Sequence, residues 1–449
     1  MNIKKYLKNC NEVYHITLDP KGPGVVRIHL VPPKRLKVGI PWVVIINGYS
    51  ILPLQTAWAV LLKEFITVFN QYYDKAYTND DLKNAIKKVY QNVKLVYPDA
   101  SEKAVTNDLK DIISVLEDVA RGKEPEVDIG YMTLAKYAKD MRAPHRMDLL
   151  VSAMEVNGCW NCNQKCLLCY AYNEKMAMTK ELSTNDWFKI LDKLKKANVP
   201  AVTFTGGEPT LRDDLVELVA YASWFVTRLN TNGIRLTKDL CKRLYDANLD
   251  SVQITLYSYD KDIHNKMVGS DHFDDTINGI KNALEAGLDV SINTPLCSIN
   301  SDYVKTVKFA NELGVTYFST SGVIPTGNAL NKNVEKLSSE EIYNSLKEAY
   351  NFANKKNIEI SFTSPGWIKS DLLKEMNMVV PSCGACLSNM AIAPNGEVIP
   401  CQSWLFEDGL GNILDIDFNK IWNSKKCKKQ RVYSIKNLEV CALKEVNRN

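Results

Sequence analysis

Three cysteines stand in one short run, Cys162-Asn163-Gln164-Lys165-Cys166-Leu167-Leu168-Cys169. The spacing C-x3-C-x2-C places three thiolates on one loop, where they can hold three irons of a [4Fe–4S] cube and leave the fourth without a protein ligand. An open metal position is what separates a reactive site from a purely structural one. Zinc is the ordinary alternative; it wants a fourth ligand close by, and Cys159 is the residue that offers itself. A second group lies near the end of the chain: Cys383, Cys386, Cys401, Cys427 and Cys441. Pro394-Asn395-Gly396 predicts a tight hairpin turn, which brings the flanking cysteines together on one side. Structural zinc is again the plain alternative there. Cys10, Cys241 and Cys297 stand apart, and a lone cysteine usually packs as a small apolar residue.

The loops that carry these residues are set by a regular alternation from residue 148 onward. Strand patterns at Leu149–Val156, Ala201–Thr205, Phe225–Leu229, Val252–Leu256, Val290–Ile292 and Val315–Phe318 are separated by amphipathic stretches. The latter run over Thr184–Ala197, Leu211–Ala220, Lys238–Ala247, Phe273–Ala286 and Ser301–Leu313. Strands alternating with helices of this length mean parallel βα units. Six strands fall short of the eight of a closed barrel, so the expectation for 148–330 is a partial (β/α)6 TIM-like barrel or an open sheet. Cys162 follows its first strand, and Thr205-Gly206-Gly207-Glu208-Pro209 ends its second. Both lie where such barrels build their sites, beyond the C-terminal ends of strands.

Upstream, Val13–Leu18, Val25–Val31 and Trp42–Ile46 read as strands. Helical patterns follow at Thr56–Tyr73, Asp80–Val93 and Ser101–Arg121, the second opened by Asn79 as its expected N-cap. Residues 1–121 are thus expected to form a small α+β module. The stretch 122–147, with Gly122, Pro125, Gly130 and Pro144, reads as a connection. Downstream, 331–375 is a bridge holding a helix, Ser339–Lys355, and a strand, Ile358–Phe362. Residues 376–449 have few long periodic runs, so metal clusters are expected to supply what a large core does not.

Composition narrows the class. A hydrophobic fraction of 45% with 24% charged residues is that of a globular protein. No apolar stretch is long enough for a membrane span, and the N-terminus lacks a secretory signal, so a cytoplasmic location without a membrane partner is expected. The net charge of +4 gives no nucleic-acid footprint. The one basic run, Lys425, Lys426, Lys428, Lys429 and Arg431, reads as a solvated helix face. In a reducing compartment, 12 cysteines point to metal or redox chemistry rather than to disulfides.

The run at Cys162, with Leu168 before its last cysteine and Tyr170 after it, resembles the signature of the radical S-adenosylmethionine (SAM) superfamily. That resemblance implies a first [4Fe–4S] cluster on Cys162, Cys166 and Cys169. Thr205-Gly206-Gly207-Glu208-Pro209 resembles the family's GGEP motif. It implies that the backbone edge at Gly206 and Gly207, with Glu208, bonds the amino group of SAM's methionine moiety: glycines allow close approach and an ammonium needs an acceptor. Leu229-Asn230-Thr231-Asn232-Gly233 is similar to the third-strand element. Gln253-Ile254-Thr255-Leu256-Tyr257-Ser258, with His264 and Gly269, is similar to the fourth. Thr255 takes the place of a serine that helps hold the cofactor, and Asn293 is placed to contact the ribose. For each, the plain alternative is a strand-end polar residue bonding backbone. His264 reads as structural, because radical chemistry needs no general base at its first step, and no catalytic residue is assigned. Cys297, on the loop after the fifth strand, is either a hydrogen donor facing the cavity or a packed thiol. In the implied mechanism, SAM chelated to the open iron of the reduced cluster breaks into methionine and a 5′-deoxyadenosyl radical, which abstracts hydrogen from substrate. An electron donor of flavodoxin or ferredoxin type is implied with it.

Cys386-x9-Gly396-x4-Cys401, followed by Leu410-Gly411-Asn412-Ile413 and Ile421-Trp422, resembles the auxiliary-cluster extension called SPASM, or its shorter form Twitch. The full form needs more cysteines than remain before Asn449. The resemblance therefore implies one auxiliary [4Fe–4S] cluster on Cys383, Cys386, Cys401 and Cys441, with Cys427 a spare or a substitute. Members with this extension mostly modify peptides or proteins, and several carry a winged-helix module that binds a precursor's leader. Residues 1–121 match such a module by order of elements, so a precursor peptide substrate is the expectation, its leader adding a strand to a sheet edge. The alternatives are an accessory domain packed on the barrel, an enzyme of a small metabolite or of a protein side chain, and a non-enzymatic iron–sulfur binding protein.

Overall fold

The computed structural model describes residues 3–10, 12–18, 26–47, 50–72, 78–121, 123, 125–127, 133–156, 159–330, 334–356 and 358–444. Val25, Tyr73, Gly122 and Gly130, used above in reading the sequence, lie outside the described residues, as does the side chain of Cys159. Contacts divide the chain into two compact units, Met1–His145 with Lys195–Ala201, and Arg146–Leu194 with Val202–Asn449.

The first unit opens with α1 (Ile3–Lys8) and a four-stranded antiparallel sheet, β1 (Tyr14–Thr17), β2 (Arg27–Val31), β3 (Trp42–Ile46) and β4 (Ser50–Leu54), in that spatial order. The two central strands, β2 and the β-branched β3, are buried at every position. Three helices follow, α2 (Thr56–Phe69), α3 (Asn79–Val96) and α4 (Glu102–Ala120), then a short α5 (Leu134–Tyr137). The expected cap of α3 is corrected by one residue. Thr78 accepts from the Asp81 N–H while the Asp81 carboxylate accepts from the Thr78 N–H, a reciprocal capping box that leaves Asn79 as the first helical residue. Part of the stretch expected as a connection folds into this unit. The Lys34 N–H donates to Asp140 O at 3.1 Å, Arg142 donates to Pro33 O at 2.9 Å, and His145 stacks on Tyr137.

The two edges of this sheet differ. Val13 N–H donates to Asn198 Oδ1 at 3.1 Å and Asn70 donates to His15 O at 2.8 Å, so side chains occupy outward backbone groups of β1. At the other edge, Asn47 N–H bonds Arg27 O, which turns the odd residues of β3 toward β2 and the even ones toward β4. Ile51 and Pro53 of β4 then face away from the sheet, and proline has no N–H to offer there.

In the second unit, β5 (Arg146–Ser152) is followed by a small hairpin, β6 (Glu155–Val156) and β7 (Cys159–Trp160). The alternation then runs α6 (Thr184–Lys196), β8 (Ala201–Gly206), α7 (Leu215–Tyr221), β9 (Val226–Thr231), α8 (Lys238–Asp246) and β10 (Ser251–Thr255). It continues through α9 (Lys261–Val268), α10 (Phe273–Glu285), β11 (Asp289–Pro295), α11 (Tyr303–Glu312), β12 (Tyr317–Ser321), α12 (Ser339–Ala353) and β13 (Glu359–Phe362). After α13 (Ser370–Glu375) come the hairpin β14 (Asn389–Ile392) and β15 (Val398–Ile399), then α14 (Phe418–Trp422) and α15 (Lys425–Lys436).

All six expected barrel strands are present, and the sheet is longer than they are. Its order is β13-β12-β11-β10-β9-β8-β5-β14-β15. The strand expected in a bridge, β13, pairs parallel with β12, and β14 pairs parallel with β5 at the other side. Register separates two faces. Ile254, Ile292, Phe318 and Ile360 lie side by side and buried, and a Cβ on Gly233 would meet Ile254 at 2.9 Å and α10 beyond it. That is the face the helices cover. The alternate positions carry Thr255, Asn293, Ser319 and Ser361, and one step earlier Gln253, Ser291, Tyr317 and Glu359. The concave face of the sheet is therefore a polar ladder. Among the described residues no helix is long and apolar enough to cross a membrane.

Candidate active site

The loop that carries Cys162, Cys166 and Cys169 is held by backbone on two sides. Lys165 N–H donates to Val268 O at 2.9 Å and Leu167 N–H to Met267 O at 2.8 Å, both at the end of α9. From the segment after β12, Asn328 donates its side-chain amide to Cys166 O at 2.8 Å and its backbone N–H to Cys169 O at 2.9 Å. All three thiols are half-buried and outside any disulfide. They face one another: each of Cys162 and Cys169 raises the Cys166 thiol electrostatically, after burial, which is the larger cause. Burial likewise pushes Cys162 up to about 12, against a lowering backbone bond at Gln164, and raises Cys169 against backbone bonds at Ala171 and Tyr172. Burial away from water disfavours the thiolate form of all three. Three converging thiols with backbone N–H groups aimed at each of them fit a cluster that supplies the positive charge. Among the described residues no group of three or more His, Cys, Asp or Glu side chains is arranged to hold a single metal ion.

Gly206 and Gly207 make their close approach to protein. A Cβ on Gly206, where φ is +136°, would fall 2.3 Å from Ser152 O, and one on Gly207 would fall 2.9 Å from Ala153 O. The pair thus seats the end of β8 against the residues leading out of β5 into the metal loop. Glu208 is buried, and four donors of the chain converge on its carboxylate, three on one oxygen and one on the other. Its Oε1 accepts from Thr210 N–H at 2.9 Å, Thr210 Oγ1 at 2.5 Å and Thr231 Oγ1 at 2.7 Å, and its Oε2 accepts from Asn232 N–H at 2.9 Å. Burial raises its pKa and these bonds lower it. Asn232 in turn donates to Asn163 Oδ1 at 2.6 Å, tying the third-strand element to the metal loop. Cys162 and Cys166 both feel the Glu208 charge, so the structure gathers the cysteine trio and the Gly-Gly-Glu motif into one place.

Thr255, which ends β10, and Asn293, two residues before the end of β11, are register neighbours, half-buried on the concave face. Ser319 donates to Asn293 Oδ1 at 2.9 Å. Cys297 is fully buried, its Sγ donating to Asn300 Oδ1 at 3.3 Å and lying 3.9 Å from Met267 Sδ, which is a packed thiol. His264 is buried too; its Nδ1 accepts from Tyr257 N–H at 3.3 Å, and burial lowers its pKa to about 4.

The turn between β14 and β15 forms with Gly396 at φ +87°. Cys383, Ala385 and Ala442 pack with Cys401, and burial raises the Cys401 thiol, with Cys441 and then Cys383 adding to it. Cys386 turns toward Cys427. The two share a hydrogen bond that raises Cys386 and lowers Cys427, and Arg431 Nη2 reaches the Cys427 sulfur at 3.3 Å. The guanidinium sits 3.3 Å over the Trp422 ring. One member of the basic run therefore faces inward, while Lys425, Lys426, Lys428 and Lys429 are exposed as expected.

Sequence reasoning passed over Asn328, Asn163 and Ser319. A polar residue at a strand end was the available signal, and it does not single them out. It also passed over Tyr170 as a site residue. That phenol accepts from Thr205 and is raised by burial, with Cys169, Asp148 and Cys401 all contributing to its electrostatics.

Residues 159–310 match the Radical SAM superfamily profile, and residues 383–443 match the SPASM profile, described as an iron–sulfur cluster-binding domain. A probable GTP 3′,8-cyclase of Saccharolobus islandicus is 30% identical over 268 residues, covering 57% of this chain and 83% of that protein. The chain belongs to the radical SAM superfamily. An AdoMet-dependent heme synthase of Oleidesulfovibrio alaskensis is 26% identical over 284 residues, covering 59% of this radical SAM chain and 73% of the relative. Among solved structures, Streptococcus suis SuiB bound to precursor peptide SuiA is similar in fold, with a TM-score of 0.61 at 17% identity, over 90% of this chain and 93% of that one. This radical SAM enzyme thus has the family's cofactors, a [4Fe–4S] cluster and SAM, and a C-terminal SPASM domain for auxiliary iron–sulfur chemistry.

Proposed function

We propose that the enzyme modifies a ribosomally made precursor peptide. The observation that carries this is coverage. The likeness to SuiB, whose solved structure holds a precursor peptide, extends over 90% of the chain, whereas the heme synthase match covers 59%. In this reading Cys162, Cys166 and Cys169 hold the first cluster, and the auxiliary one rests on Cys383, Cys401 and Cys441 with Cys386. The bound cluster and SAM supply a 5′-deoxyadenosyl radical. The chain's residues orient and exclude. Glu208, through the free acceptor capacity of Oε2, takes the SAM ammonium, and Asn293, its amide oxygen held by Ser319, offers its NH2 to the ribose. Thr255 gives a hydroxyl beside it. The hydroxyls and amides of the polar ladder bind peptide backbone and polar side chains on the concave face.

The first unit recognises the leader. Among the described residues its β4 edge pairs with no further strand, and in this reading it offers Ile51 N–H and C=O and Pro53 C=O to an added strand. Co-expression with the precursor encoded nearest the enzyme's gene, followed by mass spectrometry, tests the proposal. A SAM-dependent mass change in the peptide supports it; an unchanged peptide alongside active SAM cleavage removes it. A second reading, action on a small metabolite, is favoured by curated relatives named for heme synthesis and GTP cyclisation. Turnover of a low-molecular-weight substrate by enzyme lacking any peptide would select it.

A further inference from the structure

The segment after β12 touches the metal loop more closely than any motif of the sequence suggests. Asn328 occupies the carbonyls of two of the three cysteines, Cys166 at 2.8 Å through its side chain and Cys169 at 2.9 Å through its backbone. Gly327 precedes it at φ +54°, and a Cβ there would fall 2.3 Å from Cys169 O and 2.7 Å from the Tyr170 carbonyl carbon. Both the left-handed backbone and the missing side chain are needed for that approach. Gly327 N–H also donates to Glu174 Oε1 at 2.8 Å, so residues 166–174 are fixed at three points by two consecutive residues. On the opposite side, the end of α9 accepts the N–H groups of Lys165 and Leu167.

We propose that Asn328 is a positioning residue for the first cluster, with Gly327 as the hinge that lets it reach. With N–H groups satisfied on one side and C=O groups on the other, the loop backbone is fixed before metal arrives, and the cysteines have only their side-chain rotors left to order. Asn328 acts through Cys166 and Cys169 and touches no reacting atom. The proposal rests on the reading that Cys162, Cys166 and Cys169 hold the cluster, and the test separates the two.

Full-length wild type, Asn328→Ala, Asn328→Asp, Leu330→Ala and a Cys162/Cys166/Cys169→Ala triple variant are reconstituted anaerobically. Iron release to a colorimetric chelator and the electron paramagnetic resonance spectrum of the dithionite-reduced protein, with and without SAM, are then recorded. Asn328→Asp keeps the size and loses the donor to Cys166 O. Both Asn328 variants are expected to release one cluster's iron about tenfold faster and to show a broadened SAM-responsive signal, the auxiliary signal being unchanged. Leu330→Ala, on the same loop, is expected to match wild type. Wild-type release and spectra in Asn328→Asp overturn the proposal. A triple variant that keeps the SAM-responsive signal overturns the ligand reading instead. Circular dichroism identifies any variant that has not folded, and in that event the Asp variant alone decides.

Discussion

In the proposed reading Glu208 does two jobs, bracing its neighbours and holding SAM, and substitutions separate them. Four donors of this chain converge on its carboxylate. Removing it leaves those donors unpaired in a buried place, each costing roughly 1–3 kcal/mol where water cannot enter. Glu208→Ala is therefore expected to lower the thermal midpoint by about 10 °C or more in calorimetry. Glu208→Gln keeps an oxygen for the threonines and is expected to fold while losing SAM affinity at least tenfold. A cofactor role alone would leave the Ala variant as stable as wild type.

His264 gives the second residue-scale expectation. Its folded pKa of about 4 lies below the ordinary 6.5 because burial disfavours the charged ring. Between those values the unfolded chain binds a proton that the folded chain refuses, so stability falls as pH drops from 6.5 to 4 and is complete above 6.5. The shift corresponds to on the order of 3 kcal/mol. His264→Gln is expected to flatten the acid limb of a denaturation series run across that window. An unchanged acid limb would show that another group governs it.

At the scale of elements, Gly206→Ala should be among the most damaging single-methyl additions in the chain. The new Cβ meets Ser152 O at 2.3 Å in a backbone region closed to L residues. Loss of soluble protein, or soluble protein that fails to bind iron, is expected, and a well-behaved Gly206→Ala enzyme would show that β8 can withdraw from β5. In the first unit, Ile51→Pro removes the one N–H that the outer face of β4 offers among its described residues. Leader affinity should fall about tenfold in a titration while SAM cleavage is unchanged.

The βα alternation from 148 onward was legible because strand and helix periods differ and both repeat. Cys162, Cys166 and Cys169 were legible because their spacing is rare and local. What stayed hidden was non-local. β14 is four residues, Asn-Met-Ala-Ile, in a stretch with no period to read, and its partner is distant in sequence. Asn328 looks like any polar residue after a strand until its two carbonyl partners are seen. The Cys386–Cys427 pairing could not be read, since spacing alone does not say which side of α15 faces the hairpin. Asn79 was mistaken for the cap because Thr78 and Asp81 announce themselves only as a pair.

For the molecule as a whole, two groups of thiols sit in one unit, and they should be separable. Alanine at Cys383, Cys401 and Cys441 together is expected to halve the iron content while SAM is still cleaved, now without product. If that variant makes product at the wild-type rate, the C-terminal cysteines serve structure alone.

The pairing of β14 with β5 also sets a schedule for synthesis. The strand that leads into the metal loop meets its outer neighbour only after about 240 further residues have been added, roughly 10–50 s of chain elongation. Until then the nascent chain carries an unpaired β edge beside three metal-ligand cysteines. Ribosome-bound chains that stop before residue 389 should therefore need holding by a chaperone, and iron delivery belongs after release.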